Sequence, residues 1–113
     1  MLYYQNQKHV HLSASAVMLG KFDGIHIGHQ KLVEVLMQEK RPEDQSVMFT
    51  FDLNGFRELA VITEEERRSK AEALGIDVMV VWPFDDDTKH MDPLSFIREI
   101  LVGQLNASLV VVG

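Results

Sequence analysis

The apolar residues of this chain fall into four short unbroken runs, separated by longer stretches in which they recur every three or four positions. The runs are SAVMLG (15–20), SVMFTF (46–51), DVMVVW (77–82) and SLVVV (108–112). Runs of this length, bounded by turn-forming residues, have the signature of β-strands. They show no polar alternation, so both faces of the sheet must be covered, as in a parallel sheet with helices on either side. After the first run, Leu32, Val35 and Leu36 recur at helical spacing with Glu34, Gln38 and Glu39 opposite, until Arg41-Pro42-Glu43-Asp44-Gln45 breaks the pattern. After the second, Thr63 stands three residues before Glu66 in the spacing of a capping box, and the helix it opens runs to Leu74 and is closed by Gly75. After the third, Asp92-Pro93 opens a helix carrying Leu94, Ile97, Ile100, Leu101 and Leu105 on one face. The opening dodecapeptide is mixed and polar, with a short edge strand expected at Val10–Leu12.

The order is β-α-β-α-β-α-β, an α/β, Rossmann-like parallel sheet. Right-handed crossovers place the four runs in the spatial order 3-2-1-4, with the first two helices on one face and the third on the other. Ligands bind such sheets beyond the carboxyl ends of the strands, at the point where the winding reverses, here between the first run and the fourth. Residues 21–28, 52–62 and 83–92 lie at that end. The fourth run becomes an apolar edge strand, of the kind that pairs with another chain. A single helix on its face would leave apolar surface uncovered. Self-association through Ser108 to Val112 is therefore expected.

Composition narrows the class further. The 113 residues read as a single domain, 46% apolar and 25% charged, as in an ordinary globular chain. No stretch approaches the ~20 apolar residues that span a bilayer, and no basic-then-apolar leader opens the chain. The chain has no cysteine, which excludes disulfides and thiolate metal sites and fits a cytoplasmic setting. A net charge of −6 argues against nonspecific binding to nucleic acid or an anionic membrane. A local cluster of donors can still bind ATP against that global sign.

Such a cluster follows the first run. The stretch GKFDGIHIGHQ (20–30) contains Gly20, Gly24, Gly28, His26 and His29. A strand, a glycine-rich turn and a helix beginning near Gly28 make an anion site, because free backbone N–H groups and the helix dipole point at the ligand. Gly24 and Gly28 let the backbone come close to a phosphate. His26 and His29 flank Gly28, so both rings can lie beside one anion at the helix mouth. A preorganised donor aimed at developing charge is worth about 3 kcal/mol, roughly a hundredfold in rate. The chemistry indicated is phosphoryl or nucleotidyl transfer with pyrophosphate as leaving group.

FDGIHIGH resembles the H-x-G-H signature of the nucleotidyltransferase superfamily, and its Phe-Asp-Gly form is most similar to the FMN adenylyltransferase (FAD synthetase) domain of bacterial riboflavin kinase/FAD synthetases. Thr50-Phe51-Asp52, ITEEERRSKAEALGID, WPFDDD and DPLSFIREILVGQLNASLVVVG follow in that family's order, and the likeness runs from Val17 onward. The resemblance implies transfer of AMP from ATP to FMN, giving FAD and pyrophosphate, with Mg²⁺ accompanying ATP. By position, His26 and His29 would bind the ATP phosphates and stabilise the transition state, and Lys21, Phe22, Asp23, Gly24 and Gly28 would complete the nucleotide pocket. Three departures stand out. Lys21 replaces the usual asparagine, and Leu53-Asn54-Gly55 stands where the family has a Pro-x-Pro turn near the flavin. The family also continues past VVVG, so the chain is expected to be a truncated, N-terminal half of a nucleotidyltransferase domain. The alternatives are a sister nucleotidyltransferase with another phosphorylated acceptor and a nucleotide-binding fragment without catalysis.

Other candidates read as structure. Asp85, Asp86 and Asp87 make a solvated acidic loop rather than a Mg²⁺ site. His9 and His11 have metal-pair spacing but no third ligand, and His90 has no evident partner. Trp82 and Phe84 suit core packing as well as stacking on a flat ring. Glu64, Glu65 and Glu66 suit the first turn of a helix, with Arg67, Arg68 and Lys70 on its solvated face.

Overall fold

The computed structural model describes residues 1–20, 27–52 and 64–112, without the side chains of residues 27–29 and 64. Five parallel strands form one sheet in the order β1-β4-β3-β2-β5. They are β1 (Leu2–Gln5), β2 (Ser15–Leu19), β3 (Gln45–Asp52), β4 (Val78–Pro83) and β5 (Ala107–Val112). The four apolar runs are β2 to β5, in the spatial order expected of right-handed crossovers. The fifth strand departs from the sequence reading. It is Leu2–Gln5, added beside β4 in the register Leu2↔Val78 to Gln5↔Val81, and Val10–Leu12 forms no strand.

Two apolar layers sandwich the sheet. On one face α1 (Ile27–Glu39) and α2 (Glu64–Ala73) cover Ala16, Met18, Met48, Met79 and Val81. Helix α1 meets the sheet through Val33 and Leu36, with Leu32 and Met37 beside them. Val35, assigned from its spacing to the buried stripe, is 45% exposed instead, because the stripe centres on residues 32, 33, 36 and 37. Helix α2 ends in a Schellman motif: Gly75 has φ +88°, its N–H donates to the Glu72 carbonyl, and the Ile76 N–H donates to the Ala71 carbonyl. Arg67, expected on the solvated face, is buried one turn before Ala71, whereas Arg68 lies 4.5 Å over the Tyr3 ring. Thr63, the expected cap of this helix, lies outside the described residues.

The other face is covered in an unexpected way. After the short helix α3 (Asp86–Lys89), α4 (Pro93–Phe96) runs directly into a π-helical segment, Ile97–Val102. The Gly103 N–H donates to the Arg98 carbonyl and the Leu105 N–H to the Ile100 carbonyl, the wide-turn pattern of a π-helix. A Cβ on Gly103 would lie 2.4 Å from the Glu99 carbonyl oxygen, so glycine suits this turn. The wider turn rotates the expected apolar face. Ile100, Leu101 and Leu105 are buried, but Leu94 and Ile97 are 58% and 46% exposed, and Phe96 packs inward in their place. The segment linking β1 to β2 covers the rest of this layer, with Val10 and Leu12 buried against Val17, Val47 and Val78. The large uncovered surface expected here is thus reduced by a peptide that reads as polar. Val10 and Leu12 contribute burial in place of a second helix.

Candidate functional site

The carboxyl ends of β2, β3 and β4 rise together between the two layers, and β5 reaches the same level through the pairing Leu19↔Val112. Helix α1 returns from β2 on one face, whereas the α4/π segment enters β5 from the other. The winding therefore reverses between β2 and β5, where an α/β sheet opens its ligand crevice. Helix α1 begins there at Ile27, so Gly28 and His29 lie in its first turn, beside the N–H groups left without intrahelical acceptors. Lys21, Phe22, Asp23, Gly24 and His26 fall outside the described residues, as do Leu53, Asn54 and Gly55. What can be placed is the backbone: a thirteen-residue helix directed from the switch point, with its positive dipole end toward the crevice.

An aromatic ledge stands at the same end. Phe51 on β3 meets Phe84, just beyond β4, and Phe96 on α4, each at 5.5 Å between ring centroids. Phe49 lies below, 5.7 Å from both Phe96 and Trp82. Trp82 belongs to the core: it is 2% exposed, and its indole N–H donates to the buried Thr88 hydroxyl at 3.3 Å. Phe84 is different, being 41% exposed at the end of a buried strand. On the α1/α2 side, alternation from Met48 directs Thr50 and Asp52 toward the helices, and both are buried at the ligand end. Arg67, on α2, is buried as well. Arg67 carries no sequence signal beyond standing four residues before Ala71, a shared helical face.

The acidic loop is structural, as its sequence suggested. Asp85 caps α3 by accepting from the Thr88 N–H at 3.0 Å and pairs with Lys8, which also lies 3.9 Å from Asp87. The hydrogen bond from the Lys8 ammonium, with the Thr88 N–H next, lowers the Asp85 carboxyl to about 2. His9 and His11 are exposed, and His90 Nδ1 lies 2.9 Å from the Asp86 carbonyl oxygen. Among the described residues no group of three or more His, Cys, Asp or Glu side chains could hold a metal ion. No described helix is long and apolar enough to cross a membrane.

The sequence profile of the FAD synthetase family matches residues 8–113, and the chain belongs to that family. It is 29% identical over 109 residues to the bifunctional riboflavin kinase/FMN adenylyltransferase of Buchnera aphidicola, covering 89% of this chain and 35% of that protein. It is 32% identical over 104 residues to the protein of the same name in Listeria monocytogenes, covering 84% of this chain and 33% of that one. The chain thus spans about a third of the length of these curated relatives. The fold agrees with a crystal structure of Macrolide-efflux Protein from Streptococcus pneumoniae: the TM-score is 0.80 at 23% identity, with 100% of this chain and 41% of that one aligned. That likeness speaks for the fold alone.

Proposed function

We propose that this chain carries the ATP-phosphate-binding part of an FMN adenylyltransferase, the reaction in which AMP passes from ATP to FMN to give FAD and pyrophosphate. The observation that carries the reading is that H-x-G-H runs into the first turn of α1 at the switch point of a sheet belonging to the FAD synthetase family. A phosphate oxygen of FMN attacks the α-phosphorus of ATP, the bond to pyrophosphate breaks, and negative charge grows on the departing group. The α1 N–H groups and the His26 and His29 imidazoles offset that charge without forming a covalent intermediate. Lys21 adds a cation to the phosphate mouth, while Phe22, Asp23, Gly24 and Gly28 shape the nucleotide pocket. Mg²⁺ arrives as part of the nucleotide substrate, since phosphate oxygens are the hard ligands it prefers.

The aromatic ledge of Phe51, Phe84 and Phe96 supports a flat-ringed acceptor, because exposed ring surface at the ligand end is suited to stacking. The net charge of −6 speaks against nucleic acid as a partner, and the lack of cysteine fits a cytoplasmic setting. Val110 and Val112, 38% and 69% exposed on the edge strand, support self-association of the chain, which sedimentation would detect as a species heavier than 12.9 kDa. The function is tested by supplying the chain with ATP, Mg²⁺ and FMN and separating products chromatographically. FAD and pyrophosphate that disappear on His26→Ala plus His29→Ala are expected. FAD formation undiminished by that double replacement, or preferential adenylylation of another phosphorylated acceptor, would overturn the reading.

A further inference from the structure

Strand β5 pairs with β2 through a β-bulge. Ser15 faces Ala107, but Ala16 faces Leu109, so Ser108 is the extra residue. The bulge switches the strand between the two layers. Ala107 packs with the α4/π side, whereas Leu109 and Val111 pack with the α1/α2 side. Without the bulge, Ser108 would face Ala16 and Met18 would face Val110. Leu109 and Val111 would turn to the opposite layer, since a slip of one residue inverts every side chain. The segment Leu109-Val110-Val111-Val112 is apolar throughout, so its hydrophobic pattern serves either register equally well.

The discriminating contacts are polar and lie at the base of the strand. The Ser108 hydroxyl donates to Asp44 Oδ2 at 2.9 Å and lies 3.3 Å from the Ser15 carbonyl oxygen. Asp44 is held in turn. Its Oδ2 accepts from the Arg41 backbone N–H and from Nε, each at 3.1 Å, and its Oδ1 accepts from an Arg41 terminal nitrogen at 2.9 Å. Its side chain has no exposed surface, so loss of the Ser108 hydroxyl leaves a buried carboxylate oxygen one partner short. Asp44 immediately precedes β3 and reaches Ser108 across the start of β2.

We propose that the Asp44–Ser108 bond selects the register of β5, and that hydrophobic burial does not. The strand is a two-state element. Its bulged state is the one described, and its slipped state turns Val110 and Val112 toward α1 and moves the backbone at the ligand end by about one residue, roughly 3.3 Å. The pin thereby fixes which groups β5 presents beside the end of β2 at the crevice.

The test is the register itself, read by interstrand nuclear Overhauser contacts from Met18 in the full chain carrying Ser108→Ala, Ser108→Thr or Asp44→Asn. Wild type and the threonine variant, which keeps the hydroxyl, should show the Met18–Val111 contact. The alanine variant should show a second population with Met18–Val110, and amides of Leu109 to Val111 should exchange about tenfold faster. Asp44→Asn should follow the alanine variant where it folds. An alanine variant with Met18–Val111 alone and wild-type exchange would overturn the proposal.

Discussion

At the amino end of the sheet buried polar side chains close on one another, whereas at the carboxyl end an aromatic ring is exposed and α1 begins at the winding reversal. Below β4 and β3, Asp77 accepts from both the N–H and the hydroxyl of Ser46, at 2.9 and 3.1 Å. Below β2 and β5, the Ser15 hydroxyl donates to the Leu105 carbonyl at 2.6 Å, and Asp44 binds Arg41 and Ser108. At the opposite end Phe84 is exposed, and α1 turns its N-terminus toward the crevice. The difference separates two uses of the same chemistry. Polar groups satisfied within the chain fix register, whereas donors left open can take a ligand. Each variant below should affect one end and spare the other.

The largest effect belongs to the helix mouth. His26→Ala plus His29→Ala should lower FAD formation a hundredfold or more, with no change in thermal unfolding, if both groups serve developing charge as proposed. Equal losses in activity and melting temperature would place the histidines among the structural residues instead. Phe84→Ala comes next. Loss of an exposed ring should weaken acceptor binding roughly three- to tenfold while leaving ATP binding and stability in place. Titration of FMN against the variant would reveal it, and unchanged affinity would remove the ledge from the site.

Two smaller effects probe structural contacts, one at each end of the sheet. Gly75→Ala should cost about 1 kcal/mol, since the position needs a left-handed backbone, and the nearest atom to a Cβ, Met37 Cε at 3.7 Å, leaves room for it. Denaturant unfolding measures this. Lys8→Met removes the cation that holds Asp85 at about 2, below the ordinary 3.8. A carboxyl lowered on folding stabilises above pH ~4, and that stabilisation is lost as pH falls toward 2. The variant should therefore show a weaker dependence of stability on pH in that window, and the Asp85 carboxyl should titrate closer to its ordinary value. An unshifted Asp85 titration by NMR would show that the Lys8 pair is inert in solution.

The parts legible in the sequence were those governed by local rules. Four apolar runs, the glycine closing α2 and the Asp92-Pro93 helix start follow from strand length, left-handed conformation and capping, and the structure has all of them. The parts that were not legible depend on distant partners. Leu2–Gln5 is a short strand of mixed polarity whose mate, β4, lies far along the chain. Val10 and Leu12 are buried although their neighbours His9 and His11 are exposed, because the layer above β2 to β4 had space to fill. Asp44 reads as a helix breaker, yet its burial rests on Ser108, 64 positions away. The π-helical turn moved Leu94 and Ile97 outward, a rotation that regular spacing does not foresee. At the site, the proposed chemistry rests on the sequence motif, and the fold locates α1 at the winding reversal.

The most direct measurement is a titration of the isotopically labelled chain with Mg²⁺-ATP, following backbone amides at both ends of the sheet by NMR. Saturable shifts are expected at Ile27, Gly28, His29 and Gln30, with no shifts at Arg41, Asp44 or Ser108, and the response should be lost in the double histidine variant. Shifts centred on the amino end, or a response at α1 that survives replacement of both histidines, would contradict the proposed site.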